Sequence, residues 1–179
     1  MILWPRAWRS CHEWSRCFGK VPLWDFFVII HLRHLVLTEK RSGFMVQFTG
    51  GCLCGRIRYV VNAEPQRIHN CHCDSCRKVT GSAFATNIFV AENDIVITQG
   101  EPNSFSHTAD SGNNVVKEFC SNCGSPLFGY GTGRPGVKNI KVGSIDNASF
   151  VQPIANLYVK RALPFSQIDP SLDGFDEMP

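Results

Sequence analysis

Three cysteines, Cys71, Cys73 and Cys76, fall within the stretch NCHCDSC. Two further units flank it: Cys52 and Cys54 in GGCLCGRIRY, and Cys120 and Cys123 in FCSNCGSPLFG. A thiolate is both a nucleophile and a metal ligand, and C-x-C and C-x-x-C spacings aim two sulfurs at one point. The same spacings strain most disulfides, and the total of nine cysteines is odd. The pattern therefore favours thiolates on zinc in a reducing compartment over the disulfide framework of a secreted protein.

Glycine follows the second cysteine of both outer units, at Gly55 and Gly124, where it tolerates the backbone geometry of a tight knuckle. Two such knuckles brought together from distant strands make a closed tetrahedral site, so Cys52 and Cys54 pair naturally with Cys120 and Cys123 as a structural zinc site. That leaves Cys71, Cys73 and Cys76 as a set of three. Catalytic zinc sites keep three protein ligands and leave the fourth position to water or substrate. His72, between two of these cysteines, is expected to point away. His69, two residues before Cys71, can point the same way as Cys71 and close the site as a fourth ligand. The plainer reading makes both histidines surface or supporting residues.

Short strands must carry these units. RIRYVV (56–61) alternates polar and apolar residues, as a half-buried strand does. The same pattern recurs at 83–90, 94–98, 103–108, 115–120, 126–131, 137–143 and 154–160, with Gly, Pro, Asn and Asp between the runs. Asp74 is the expected N-cap of a helical turn over SCRKVT, and a second short turn is expected at 144–149. Residues 45–179 thus read as one all-β or β-dominated domain.

Composition excludes several classes of function. The net charge of +3 is unevenly spread: residues 1–44 hold seven Lys/Arg against three Asp/Glu, and residues 45–179 hold eleven against twelve. The body has no basic face for nucleic acid. The apolar run 21–37 is broken by Asp25, His31, Arg33 and His34, so no membrane span is expected. Residues 1–44 carry all four tryptophans and lack the order of a secretory signal. They read as an atypical, weakly ordered extension upstream of Met45, which places the protein in the cytoplasm. Their early arginines leave a mitochondrial transit segment as the alternative.

GGCLCGRIRY, CHCDSCRK-x-TGSAF and FCSNCGSPLF, in this order and spacing, resemble the glutathione-dependent formaldehyde-activating enzymes, whose domain is shared with centromere protein V. The tail LYVKRALPF…DGFDEMP resembles that family's C-terminal end, and the likeness runs from about Thr49 to Pro179. It implies a tent-like fold of twisted antiparallel sheets with two zinc ions. In it, Cys52, Cys54, Cys120 and Cys123 hold the structural ion, and Cys71, Cys73 and Cys76 hold an open one where the thiol of glutathione binds. The implied activity is that of a carbon–sulfur lyase, which joins glutathione to formaldehyde as S-hydroxymethylglutathione and reverses the step. The chain departs from the family pattern at Asn156–Leu157, where many members have a histidine, and near Phe165, where many have tryptophan.

The chemistry stands without the name. A free thiol is only a few per cent thiolate at neutral pH, and coordination to Zn²⁺ deprotonates it. Three anionic thiolate ligands weaken the metal as a Lewis acid, which suits activation of a thiol better than activation of water. Arg77 and Lys78 are candidates to pair with the carboxylates of glutathione, and Thr80 and Ser82 to hydrogen-bond its peptide. The alternatives are a solvated helix end for the two cations and a turn hydroxyl for Ser82. The expected partners are a small thiol and an aldehyde. The rival function is a non-catalytic module, folded by zinc, that carries glutathione or docks a protein.

Overall fold

The computed structural model describes residues 47–179, and the expectations for residues 1–44 lie outside the described residues. Two sheets dominate. The smaller has the order β1-β2-β5, from Gln47–Gly51, Arg58–Asn62 and Ile95–Gln99. The larger has the order β11-β10-β3-β4-β9-β8-β7-β6. In chain order its strands are β3 (Arg67–Cys71), β4 (Ala85–Ala91), β6 (Asn103–Thr108), β7 (Asn114–Phe119), β8 (Pro126–Gly131), β9 (Val137–Lys141), β10 (Ala155–Leu157) and β11 (Asp173–Phe175).

Alternation along the strands builds the core. Phe48 on β1 and Tyr59 and Val61 on β2 turn inward. They pack with Ile68, Ile88, Val90, Phe128 and Ile140 from one face of the larger sheet. The Tyr59 and Phe128 rings meet edge to face with centroids 4.9 Å apart, a favoured aromatic geometry. The Tyr59 hydroxyl is satisfied by the Ser144 hydroxyl at 2.7 Å.

Every pairing is antiparallel except at one end of the larger sheet, where β10 runs parallel to both β3 and β11. This refines the expected antiparallel architecture. A parallel neighbour needs a long crossover, and here it arrives from 86 positions later in the chain, the separation between Asn70 and Asn156. The expected strand at 154–160 is correspondingly short: it ends at Leu157, and a 3-10 turn occupies Val159–Arg161. The helical turn expected at 144–149 lies earlier, as a 3-10 turn at Val142–Ser144.

The α-helix α1 (Asp74–Thr80) follows β3 directly. Its N-cap is Cys73, whose sulfur accepts the Cys76 N–H at 3.4 Å, and not Asp74 as the sequence suggests. Gly81 ends the helix in the left-handed conformation (φ 64°) and donates its N–H to the Arg77 carbonyl. Among the described residues no helix is long and apolar enough to cross a membrane.

Candidate metal centres

The first centre joins two loops. Cys52 and Cys54 follow β1, and Cys120 and Cys123 follow β7, where a register shift at Glu118/Phe119 bends the strand just before its cysteine. Gly55 and Gly124 both sit at φ 74° and close their turns, donating their N–H groups to the carbonyls of Cys52, three residues back, and Cys120, four residues back. The four sulfurs lie within 4.8 Å of one another, with Cys52 and Cys54 at 3.5 Å and Cys54 and Cys120 at 3.8 Å. Four sulfurs about 2.3 Å from a shared zinc would sit about 3.8 Å apart, so the donor set fits that ion. Backbone N–H groups and a hydroxyl support the sulfurs: Ile57 N–H reaches Cys52 Sγ at 3.2 Å, and Ser125 Oγ lies 3.2 Å from Cys123 Sγ. The Ser125 hydroxyl, followed by the Ser125 and Cys54 N–H groups, brings the Cys123 thiol down to about 5.

The second centre is built where β3 meets α1. Cys71 is the last residue of β3 and is held between Ala85 on β4 and Leu157 on β10. His72 N–H continues the contact to the Leu157 carbonyl at 2.9 Å. Cys73 then caps the helix and Cys76 is buried in its first turn. One strand end and one helix start thus converge three sulfurs within 4.8 Å, with Cys71 and Cys73 at 3.5 Å. Cys71 and Cys76 are only 5% and 7% exposed. Hydrogen bonds from Cys71 and then Cys73, with Lys141 and Lys117 nearby, hold the Cys76 thiol well below its ordinary value. Cys71, facing the sulfurs of Cys73 and Cys76, is pushed up.

No histidine, aspartate or glutamate among the described residues joins this group. His69 packs against Phe89, with ring centroids 5.7 Å apart, so the alternative in which it closes the site is not what the structure shows. Burial, then the charges of Arg67 and Arg134, push its imidazole pKa down. The His72 ring lies against Phe84 and points Nε2 towards Asn156 Oδ1, away from the sulfurs, as expected.

A cavity of about 420 Å³ opens beside the three cysteines. Its lining includes residues that the sequence reading did not single out: Asn87, His107, Lys117, Asn139, Lys141 and Tyr158. Ser75 Oγ and His107 Nε2 are 3.2 Å apart there. Tyr158 packs against the cysteines in a left-handed backbone conformation (φ 58°), which costs a non-glycine residue about 1–2 kcal/mol. Burial, then the charges of Cys73 and Cys71, push its phenol pKa up. Lys141 is 3% exposed, and its ammonium donates to the side-chain oxygens of Asn87 and Asn139. Burial pushes its pKa down, and the charge on Cys76 pulls it back up.

The four residues expected to contact glutathione lie elsewhere. Arg77 pairs with Asp74 on its own helix and Lys78 is exposed. Thr80 and Ser82 line a different cavity, of about 510 Å³, with Arg58 and Asp146. Thr80 Oγ1 also donates to the Cys76 carbonyl at 2.8 Å and Ser82 to that of Phe84, the local bonds of a helix end and a turn.

A β-dominated domain with four cysteines grouped in its loops, and three more grouped beside a cavity, is a protein built around thiolate sites that could hold metal ions. A sequence model described as glutathione-dependent formaldehyde-activating enzyme matches residues 47–161, and the chain belongs to that family. Among solved structures, the crystal structure of a Rhodobacter sphaeroides protein is 21% identical with a TM-score of 0.44. The match covers 59% of this chain and 91% of that one.

Proposed function

We propose that residues 45–179 form a zinc-dependent carbon–sulfur lyase of the S-(hydroxymethyl)glutathione synthase type. It would join glutathione to formaldehyde and catalyse the reverse step, in a reducing compartment such as the cytoplasm. The observation that carries this reading is the convergence of Cys71, Cys73 and Cys76 in the wall of a cavity of about 420 Å³, within the usual range for small-ligand sites. The other four grouped cysteines bring four sulfurs within 4.8 Å of one another, enough donors for one tetrahedral ion, which leaves these three free for a different task.

Cys52, Cys54, Cys120 and Cys123 would hold one zinc ion, and Cys71, Cys73 and Cys76 a second. Zinc bound at the second site would keep the glutathione thiol deprotonated at neutral pH. The protein's own residues supply the rest. The walls of the cavity, with Phe89, Val115 and Val137 among them, remove water from around the reacting sulfur. As the sulfur lone pair forms the new carbon–sulfur bond, the carbonyl π pair moves to oxygen, which takes up one proton to give the hydroxymethyl group. The Ser75–His107 pair supplies a hydrogen-bond donor within the same cavity. Tyr158, held in its costly conformation over the cysteines, restricts where the substrate sulfur can sit.

The adduct also forms without a catalyst, so the test is a rate. Exchange NMR on glutathione and formaldehyde should show faster formation of S-hydroxymethylglutathione with the full chain than without it, and Cys71→Ser should remove the gain. A rate equal to the uncatalysed one would reject the enzyme in favour of a carrier or binding module.

A further inference from the structure

The face of the larger sheet opposite the core carries two lysines that strand alternation assigns to solvent. Lys117 on β7 is 8% exposed, yet its ammonium has no hydrogen bond or ion pair among the described residues. Lys141 on β9 is more deeply buried, and its two partners, the side-chain oxygens of Asn87 and Asn139, are neutral. Both lysines line the cavity beside the three cysteines, and Arg134 adds a third cation; no aspartate or glutamate side chain lines it, and Pro179, with its terminal carboxylate, does.

A buried ammonium with only neutral partners, as at Lys141, is disfavoured without an anion nearby, and Lys117 lines the same cavity, so negative charge belongs in this space. The cysteines supply only part of it. Three thiolates and one divalent ion sum to a single negative charge, against three positive charges from Lys117, Lys141 and Arg134. A substrate thiolate and the terminal carboxylate of Pro179, which also lines the cavity, can offset the other two, but among the described residues neither lysine is paired with a carboxylate.

The sheet also keeps room for a ligand there. Lys117, Gly129 and Asn139 face one another across β7, β8 and β9. A side chain at Gly129 would begin 3.0 Å from the Asn139 amide, so glycine leaves the floor between the lysines open.

We propose that Lys117 and Lys141 form an anion seat on the cavity floor that takes a carboxylate of the thiol substrate while its sulfur sits at the three cysteines. This rests on the thiol-activating reading above, and it replaces Arg77, Lys78, Thr80 and Ser82 as the source of substrate recognition. The seat selects small thiols that carry a carboxylate and discriminates against neutral ones.

S-methylglutathione is a suitable probe, because its capped sulfur cannot ionise and its binding reports the carboxylates. Calorimetric titration into the zinc-loaded full chain should show binding that weakens about tenfold or more in Lys117→Met and in Lys141→Met, the factor a charge-assisted hydrogen bond is worth. The dimethyl ester of the probe should bind the wild type as weakly as the acid binds the variants. Zinc content and thermal unfolding should match the wild type. Lys117 has no partner to lose, so its variant decides the matter if Lys141→Met does not fold.

Unchanged affinity in Lys117→Met overturns the seat, as does a wild type that fails to bind the acid or to distinguish it from the ester. Loss of zinc with unchanged affinity per loaded chain also overturns it, and makes the lysines countercharges for the thiolates alone. The rate experiment is read separately. Acceleration by the wild type with unchanged affinity in the variants rejects the seat and leaves the reaction. Weakened binding without acceleration keeps the seat and rejects the reaction.

Discussion

Replacing Cys120 by serine should unfold residues 47–179, whereas replacing Cys71 by serine should leave them folded. The difference lies in the loops the two groups close. Cys54 and Cys120 are 66 positions apart, and cross-linking a loop of that length stabilises by about 4 kcal/mol in the chain-entropy model. A typical domain has only about 5–15 kcal/mol of net stability. Loss of metal binding adds to the deficit, since structural zinc contributes about 10–16 kcal/mol of folding energy in small domains. The three-cysteine group closes a loop only from position 71 to position 76, and the helix and β3 already fix its ends. Elemental analysis and thermal unfolding of the full chain read both effects. Wild type should carry two zinc ions. Cys71→Ser should keep one and melt within about 5 °C of wild type, and Cys120→Ser should lose its cooperative transition or melt at least about 12 °C lower. If Cys71→Ser unfolds as completely as Cys120→Ser, the three-cysteine group is structural and the open-site reasoning fails. If Cys120→Ser melts like wild type, the cross-link reasoning fails.

Two further outcomes are expected. A Cβ at Gly50 would overlap the Tyr59 hydroxyl and the Ser144 carbonyl, so Gly50→Ala should destabilise by about 2–3 kcal/mol in urea unfolding; no change would mean that the Tyr59 ring and the Val142–Ser144 turn can shift at little cost. Asp146 is held below the usual carboxylate range by Arg58 and then Thr49. Its contribution is therefore complete above the unfolded value near 4 and vanishes as pH falls through the lower folded value. The pair is more than a third exposed, so Asp146→Asn should cost at most about 1 kcal/mol at neutral pH. That difference from wild type should shrink towards the lowest pH at which both stay folded, and a difference that does not change with pH would refute the ion pair as its source.

The features legible in the sequence were those with a short-range cause. Cysteine spacing marked both groups, and for the four-cysteine group the glycine after each second sulfur marked the local turn as well. β6 and β8 have the expected bounds because alternation ends at turn residues. β3 was missed because Arg67–Cys71 is mostly polar: it runs inside the sheet beside β4 and β10, and its polar residues serve the site and its supports. The Asp74 cap was misread because Cys73, as a helix cap, takes over the acceptor role usual for an oxygen. Lys117 and Lys141 escaped notice because polar residues in an alternating strand are normally assigned to water. Here that side of the sheet is the floor of a cavity, and only the tertiary arrangement shows it.

The span between the two knuckles has a consequence during synthesis. The N-terminal knuckle leaves the ribosome as two bare thiols whose partners follow 66 positions later. At about 5–20 residues per second that is a wait of roughly 3–13 s. Throughout it, Cys52 and Cys54 are open to oxidants and to soft metals such as copper. If the four sulfurs close on zinc as proposed, a cell short of zinc or under oxidative stress would lose this protein chiefly as unfinished chains, and molecules that closed the knuckle in time would survive the same conditions.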